Sequence, residues 1–118
     1  MAPRDGFQAV KTQIPTATKI KVSMALAAAN FKRLEVGAFV SPKAIPQMAD
    51  TQNVHSALSV LDKIRLSTLV PNAVGAKNAI DAHIFDLVFV LSASESHNQS
   101  NVKRSVSDSF NELKKIVN

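Results

Sequence analysis

The sequence predicts an α/β domain in which successive βα units build a short parallel sheet of about three strands, with about four helices packed on it. Three observations carry that reading. Residues 33–40, 65–70 and 84–91 are short runs rich in Leu, Val, Ile and Phe, bounded by polar, Gly or Pro positions. The runs are almost continuously apolar rather than alternating, as strands of a sheet covered on both faces are. Between them lie segments with apolar residues at helical spacing, and a strand, helix, strand order implies right-handed βαβ connections.

Each element has its own signal. Arg4, Asp5 and Gly6 open the chain, and a loop with Gln8, Gln13 and Pro15 follows. Thr16 is the expected N-cap of a first helix, whose residues Ile20, Met24, Ala27 and Phe31 recur at intervals of four, three and four along one face. Asn30 is placed to end it, since asparagine tolerates a left-handed backbone. The strand over 33–40 contains a carboxylate, Glu35, and a glycine, Gly37. A charge inside a covered strand needs a partner or a purpose. Pro42 and Pro46 flank Lys43 and stop the strand, so the chain crosses the rim of the sheet there.

Asp50 or Thr51 then caps a second helix with Val54, Leu58, Leu61 and Ile64 on its inner stripe. The strand over 65–70 is closed by Pro71 and Asn72, and residues 73–82 read as a short helix weakened by Gly75. Residues 84–91 form the most hydrophobic run, and their β-branched and aromatic content favours strand over buried helix. Residues 92–101 read as a polar loop. Ser105 with Asp108 three positions on is a capping pair for a last helix burying Phe110, Leu113 and Val117. The polar residues beyond the carboxyl ends of the three strands are Ser41 and Lys43, then Asn72, then Ser94, Glu95 and His97. In parallel α/β folds that rim is where chemistry sits.

Bulk properties narrow the function classes. With 118 residues and 46% hydrophobic content the chain suits one domain with one core. The absence of cysteine excludes disulfides, thiolate metal sites and cysteine nucleophiles, and agrees with a reducing compartment. No window approaches the roughly 18 apolar residues of a membrane span, and no signal-peptide core is seen, so a soluble protein is expected. A net charge of +5 suits an anionic partner, but the basic residues are scattered without aromatics between them, so no nucleic-acid partner is expected. His55 is expected on the exposed face of its helix, His83 at the start of a strand and His97 facing solvent.

Four blocks in register then point to one family: PRDG at 3–6 followed by Gln8, LEVGAFVSPKAIPQMAD at 34–50, LVPNAVG at 69–75, and SASESHNQSNVKRSVSDSF at 92–110. Together they resemble the first part of the hydroxymethylglutaryl-CoA lyases, metal-dependent enzymes built on a (β/α)8 TIM barrel. The resemblance implies a partial TIM barrel over residues 1–118 that does not close. It also implies a retro-Claisen reaction in which 3-hydroxy-3-methylglutaryl-CoA becomes acetyl-CoA and acetoacetate with the help of Mg²⁺ or Mn²⁺. By the same resemblance Arg4 binds substrate and stabilises developing oxyanion charge, Asp5 is a metal ligand, and Glu35 is an acid near the reacting hydroxyl. Gln8, Ser94, Glu95 and Asn101 line or support the substrate pocket.

The resemblance also sets out what is missing. Family members reach about 250 residues or more. A His-x-His pair, an asparagine and a loop cysteine complete their site, and this sequence has no counterpart to them. Only residues 1–3 remain of the strand that precedes Arg4. Ala38 stands where serine is usual, and Asn30 and His83 stand where glycine is usual, at a cost of about 1 kcal/mol each wherever the backbone is left-handed. An open sheet has two unpaired edges, so a homo-oligomer or a complementing chain is the expected partner beside an acyl-CoA substrate. The expected location is the cytoplasm, or the mitochondrial matrix for a eukaryotic member. Turnover by this chain alone is not expected; a non-catalytic half-barrel interaction protein and a CoA-ester binding remnant are the alternative readings.

Overall fold

The three apolar runs pair side by side in chain order. In the computed structural model, which describes residues 3–117, β1 (Arg33–Ala38), β2 (Arg65–Val70) and β3 (Leu87–Phe89) form one sheet of order β1-β2-β3, with both pairings parallel. The helices are α1 (Arg4–Gln8), α2 (Thr16–Ala28), α3 (Thr51–Leu58), α4 (Ala73–Asp81), α5 (Glu95–Val102) and α6 (Val106–Val117), with a single 3₁₀ turn at Pro46–Met48. The α/β class and the open parallel sheet are as expected. The helix count is not: among the described residues there are six α-helices rather than about four. The expectation for the strand preceding Arg4 falls partly on residues 1 and 2, which lie outside the described residues.

One of the two additional helices, α5, replaces the expected polar loop. Its sequence, ESHNQSNV, has almost no apolar residues, so periodicity carries no trace of it. It forms because Ser94 caps its first turn, accepting a hydrogen bond from His97 N at 3.3 Å. Asn98 anchors it: the buried amide accepts from Ser92 N and donates to Arg104 O, Ser105 O and Ser109 Oγ at 2.7–3.0 Å.

The core has two clusters. Leu34 and Val36 of β1 pack with Val54 and Leu58 of α3, joined by Ile20 and Leu26 of α2. Val70 of β2 packs with Ala76 and Ala79 of α4 and with Ile84, joined by Phe39, Phe89 and Ile116. Each Leu, Val or Ile buried in this way is worth about 1.5–3 kcal/mol. Glu35 lies between Leu34 and Val36, and strand alternation turns it to the face opposite these helices.

Several local expectations are corrected by competing bonds. Pro15, not Thr16, is the N-cap of α2, and the Thr16 hydroxyl instead donates to Asp50 Oδ2 at 2.7 Å. Asp50 occupies the N-cap of α3 without capping it, because its carboxylate serves Thr16 and Lys19. On α2 the inner stripe is rotated by one position from the expected one. Met24 and Phe31 are 43% and 54% exposed, while Lys19 and Ser23 are buried. Similarly, Phe110 and Val117 of α6 are 50% and 71% exposed, and Ser109 is buried in their place. Residues 84–86 leave the third strand shorter than expected, because the chain there still closes α4: His83 N bonds Ile80 O, and Ile84 N bonds Ala79 O. His83 is therefore a left-handed helix-terminal residue, φ 60°, instead of a strand opener. His55 is half-buried rather than exposed.

Gly75 does more than weaken α4. A Cβ there would lie 2.5 Å from the Phe39 carbonyl oxygen, so glycine lets the helix start come down on the exit of β1. Asn72 supplies the cap, accepting from Gly75 N at 2.8 Å.

Candidate active site

The site begins at a single parallel bridge between Pro3 and Glu35, the position a further strand would occupy beside β1. Immediately afterwards the chain turns into α1, with Phe7 N bonded to Pro3 O at 3.0 Å. That bridge fixes Arg4 next to the one carboxylate buried in the sheet. Arg4 Nε donates to Glu35 Oε1 at 2.7 Å, and both side chains are 9% exposed. From the adjoining nitrogen, Nη1 donates to Gln8 Oε1 at 3.0 Å and to Asp5 Oδ1 at 3.2 Å. Gln8 reaches the same guanidinium because residues four apart share a helix face.

These bonds leave two polar atoms of the cluster unaccounted for. Arg4 Nη2 and Glu35 Oε2 have no hydrogen-bond partner among the described residues. Neither is a sealed, unsatisfied atom, a state that among the described residues belongs to Thr68 Oγ1 alone. The cluster therefore presents a cationic donor beside a carboxylate oxygen. The first can hold negative charge developing on an oxygen, and the second can hold or move a proton. Asp5 is much more open, at 60% side-chain exposure.

Glu35 is held in place from behind. The pairing of β1 with β2 shifts register between Glu35 and Gly37, a bulge that gives the strand an extra residue at Val36. Thr51 locks it: its hydroxyl accepts from Ala38 N at 3.1 Å and donates toward Met48 O at 2.8 Å, and its side chain fills the space a Gly37 Cβ would need.

The remaining expected site residues lie on α5 and its cap. Ser94 is committed to capping α5, and Glu95 accepts from Val106 N through both carboxylate oxygens at 3.1 and 3.3 Å. Asn101 is exposed and lines a cavity of about 530 Å³. Val40 and Ser41 after β1, Pro71 and Asn72 after β2, and residues 101–104 complete much of its wall. This is the carboxyl-end rim that sequence reasoning singled out, but Arg4, Asp5, Gln8 and Glu35 do not line this cavity. The structure thus brings four of the expected residues into one hydrogen-bonded cluster and sets Asn101 in a separate cavity wall.

Sequence reasoning missed the residues that brace the rim cavity. Arg104 donates to the Pro71 carbonyl and lies 4.0 Å from Glu112. Glu112 accepts from Ala73 N at 2.8 Å, and that backbone bond, helped by Lys115 and Arg104 against partial burial, holds its carboxyl below the usual carboxylate range. Burial lowers the His55 pKa below its ordinary value. No periodic signal marks Arg104 or Glu112, since both act through hydrogen bonds rather than apolar packing.

A divalent cation needs more donors than this cluster offers. Among the described residues no three His, Asp, Glu or Cys side chains stand close enough to hold a metal ion. Asp5 supplies one hard oxygen donor, while Glu35 is tied to Arg4. These residues do not by themselves fit a Mg²⁺ or Mn²⁺ site, which takes about six oxygen ligands.

Comparison with known proteins identifies the family of the chain. The HMGL-like family model matches residues 1–118. The chain is 37% identical over 110 residues to the mitochondrial hydroxymethylglutaryl-CoA lyase of Arabidopsis thaliana, covering 93% of this chain and 24% of that protein. It is 36% identical to the 3-hydroxy-3-isohexenylglutaryl-CoA/hydroxymethylglutaryl-CoA lyase of Pseudomonas aeruginosa, again over 93% of this chain, and 37% of that protein. Among solved structures, an HMG-CoA lyase from Acinetobacter baumannii in complex with coenzyme A and 3-methylmalate superposes with a TM-score of 0.91 at 40% identity, covering 98% of this chain and 38% of that one. The chain therefore spans between a quarter and two fifths of the length of these relatives.

Proposed function

The chain belongs to the HMGL-like family, and from that premise we propose that it carries the Arg4, Asp5 and Glu35 portion of a carbon–carbon lyase site for 3-hydroxy-3-methylglutaryl-CoA. The observation that supports this reading best is the convergence of Glu35, Asp5 and Gln8 on one guanidinium whose Nη2 has no partner among the described residues. In the reaction the bond between the acyl α-carbon and the hydroxyl-bearing carbon breaks. Its electron pair passes to the acetyl-CoA enolate, and the hydroxyl, on losing its proton, becomes the ketone of acetoacetate. Negative charge builds on the thioester oxygen, and a pre-aimed Arg4 Nη2–H stabilises it more than it stabilises the neutral ground state. Glu35, oriented by Arg4, offers Oε2 as the nearby proton carrier. Gln8 and Asp5 restrict the guanidinium to one rotamer, so little ordering remains at the moment of reaction.

Asp5 is the carboxylate of this cluster that would meet a Mg²⁺ or Mn²⁺ ion, which would need further donors that the described residues do not supply. Ser94, Glu95 and Asn101 support the acyl-CoA at the rim. With one metal donor present, the isolated chain binds the thioester without turning it over. The direct test is acetoacetate release from 3-hydroxy-3-methylglutaryl-CoA by the pure chain with Mg²⁺ or Mn²⁺: no release above background is expected. Release that disappears in Asp5→Ala would overturn the incompleteness while preserving the site assignment.

A second reading rests on the sheet itself. β3 has a single neighbour and β1 carries only the Pro3 bridge on its outer edge, so the described sheet has open edges able to pair with another strand. On this reading the protein is a half-barrel that associates with a second copy or a complementing chain. Sedimentation analysis separates the two, because a compact monomer at micromolar concentration contradicts obligatory association.

A further inference from the structure

The loop that connects α1 to α2 has few bonds of its own, yet α1 must hold Arg4 and Asp5 at a fixed place beside β1. The residue that ties this loop down is Gln47, in the 3₁₀ turn that follows the exit of β1. Its side-chain amide donates through Nε2 to Val10 O and Thr12 O, both at 3.0 Å, and accepts through Oε1 from Ile14 N at 2.9 Å. Three backbone groups of one loop therefore close around a single amide that is 5% exposed. The Gln47 backbone is itself clamped. Buried Lys19 donates from Nζ to Gln47 O at 2.5 Å and to Asp50 Oδ1 at 2.7 Å.

We propose that Gln47 is a positioning residue: its amide closes the α1–α2 loop onto the segment that also carries Glu35, so that both ends of the Arg4–Gln8 turn are held by one stretch of chain. At its front end that turn is held by the Pro3 bridge and the Arg4–Glu35 pair, both on β1. At its rear end it is held by Gln47, a dozen residues further along the same segment. Arg4 can keep its bond to Glu35 with the loop free, but the turn then pivots about a single anchor and the guanidinium loses its fixed aim. Only an amide satisfies this loop, since it must give two N–H bonds and take one. A carboxylate at the same place would face two carbonyl oxygens.

The role in catalysis rests on the lyase reading, whereas the placement of Arg4 does not, and the test uses the second. In the ¹⁵N-labelled chain the Arg4 Nε–H, buried against Glu35, is expected to give a slowly exchanging resonance. Native-state hydrogen exchange in low urea should show this Nε–H and the Ile14 amide opening together, at a lower urea concentration than the Leu34 and Val36 amides. In Gln47→Glu the Arg4 Nε–H should exchange at least tenfold faster while the Leu34 and Val36 amides stay protected. Gln47→Ala should behave likewise, and Ile84→Val, which loosens the other core cluster, should leave the Arg4 signal unmoved. Independent opening of Ile14 and Arg4 in the unaltered chain overturns the proposal even if neither Gln47 variant folds. So does an unchanged Arg4 exchange rate in a folded Gln47→Glu protein. A failure of the chain to bind any CoA thioester would instead count against the lyase reading and leave these exchange data standing.

Discussion

Removing the Glu35 carboxylate is the sharpest perturbation of the cluster. In Glu35→Ala the 2.7 Å bond from Arg4 Nε is lost, and a guanidinium whose side chain is only 9% exposed loses its closest anion. Breaking a buried ion pair by deleting one member costs about 3–5 kcal/mol, because the surviving charge stays desolvated. Arg4 retains Asp5 at 3.2 Å and Gln8 at 3.0 Å, so the lower end applies: about 3 kcal/mol. Glu35→Gln keeps an acceptor oxygen and should cost about 1 kcal/mol. Urea unfolding followed by circular dichroism reads both values. A cycle with Arg4→Met should show coupling of about 1.5 kcal/mol or more between the two positions. Because the pair is buried, that coupling should change little between low salt and 0.5 M salt. Additive single-variant effects, or a Glu35→Ala protein as stable as the parent, would refute the reasoning that the two side chains meet inside the fold.

Other perturbations test the surrounding structure. Gly75→Ala places a Cβ 2.5 Å from the Phe39 carbonyl oxygen, a backbone atom with no easy retreat, and should cost about 1–3 kcal/mol in urea unfolding. His83→Gly relieves a left-handed φ of 60° and should raise stability by up to about 1 kcal/mol, read as a higher urea midpoint with unchanged slope. Glu112, whose folded-state pKa is depressed, contributes stability that is complete above its unfolded value of 4.5 and lost as pH falls through the lower folded value, so Glu112→Gln should flatten the stability profile below pH 4.5. His55, lowered by burial, makes stability fall as pH drops below its ordinary value of 6.5, and His55→Gln should remove that part of the slope.

The fold class was legible because near-continuous apolar runs separated by helical spacing admit few architectures. Glu35 was legible as a site residue for a similar reason: a carboxylate between Leu34 and Val36 breaks the strand pattern and demands a partner. Arg4, Asp5 and Gln8 became legible only through the family's PRDG motif, since nothing in composition ties the amino terminus to residue 35. What stayed hidden was held by polar bonds. Asn98 organises α5 with four hydrogen bonds in a stretch with no apolar period, and Lys19 is buried because Gln47 O and Asp50 await it. The α2 and α6 faces were misassigned because Met24, Phe31, Phe110 and Val117 sit at helical spacing yet remain exposed, while Ser23 and Ser109 are fully buried. Amphipathic spacing identifies a helix, and its neighbours decide which of two adjacent stripes is covered.

Arg4, aimed by Glu35, is proposed to meet the thioester end of a CoA ester. Calorimetric titration of 3-hydroxy-3-methylglutaryl-CoA into the purified chain and into Arg4→Met tests it most directly, with Leu34 and Val36 amide protection confirming that the variant is folded. Saturable binding by the parent chain, weakened at least tenfold in Arg4→Met, is the predicted result. Equal affinity in the two proteins, or no binding by the parent chain at all, contradicts it.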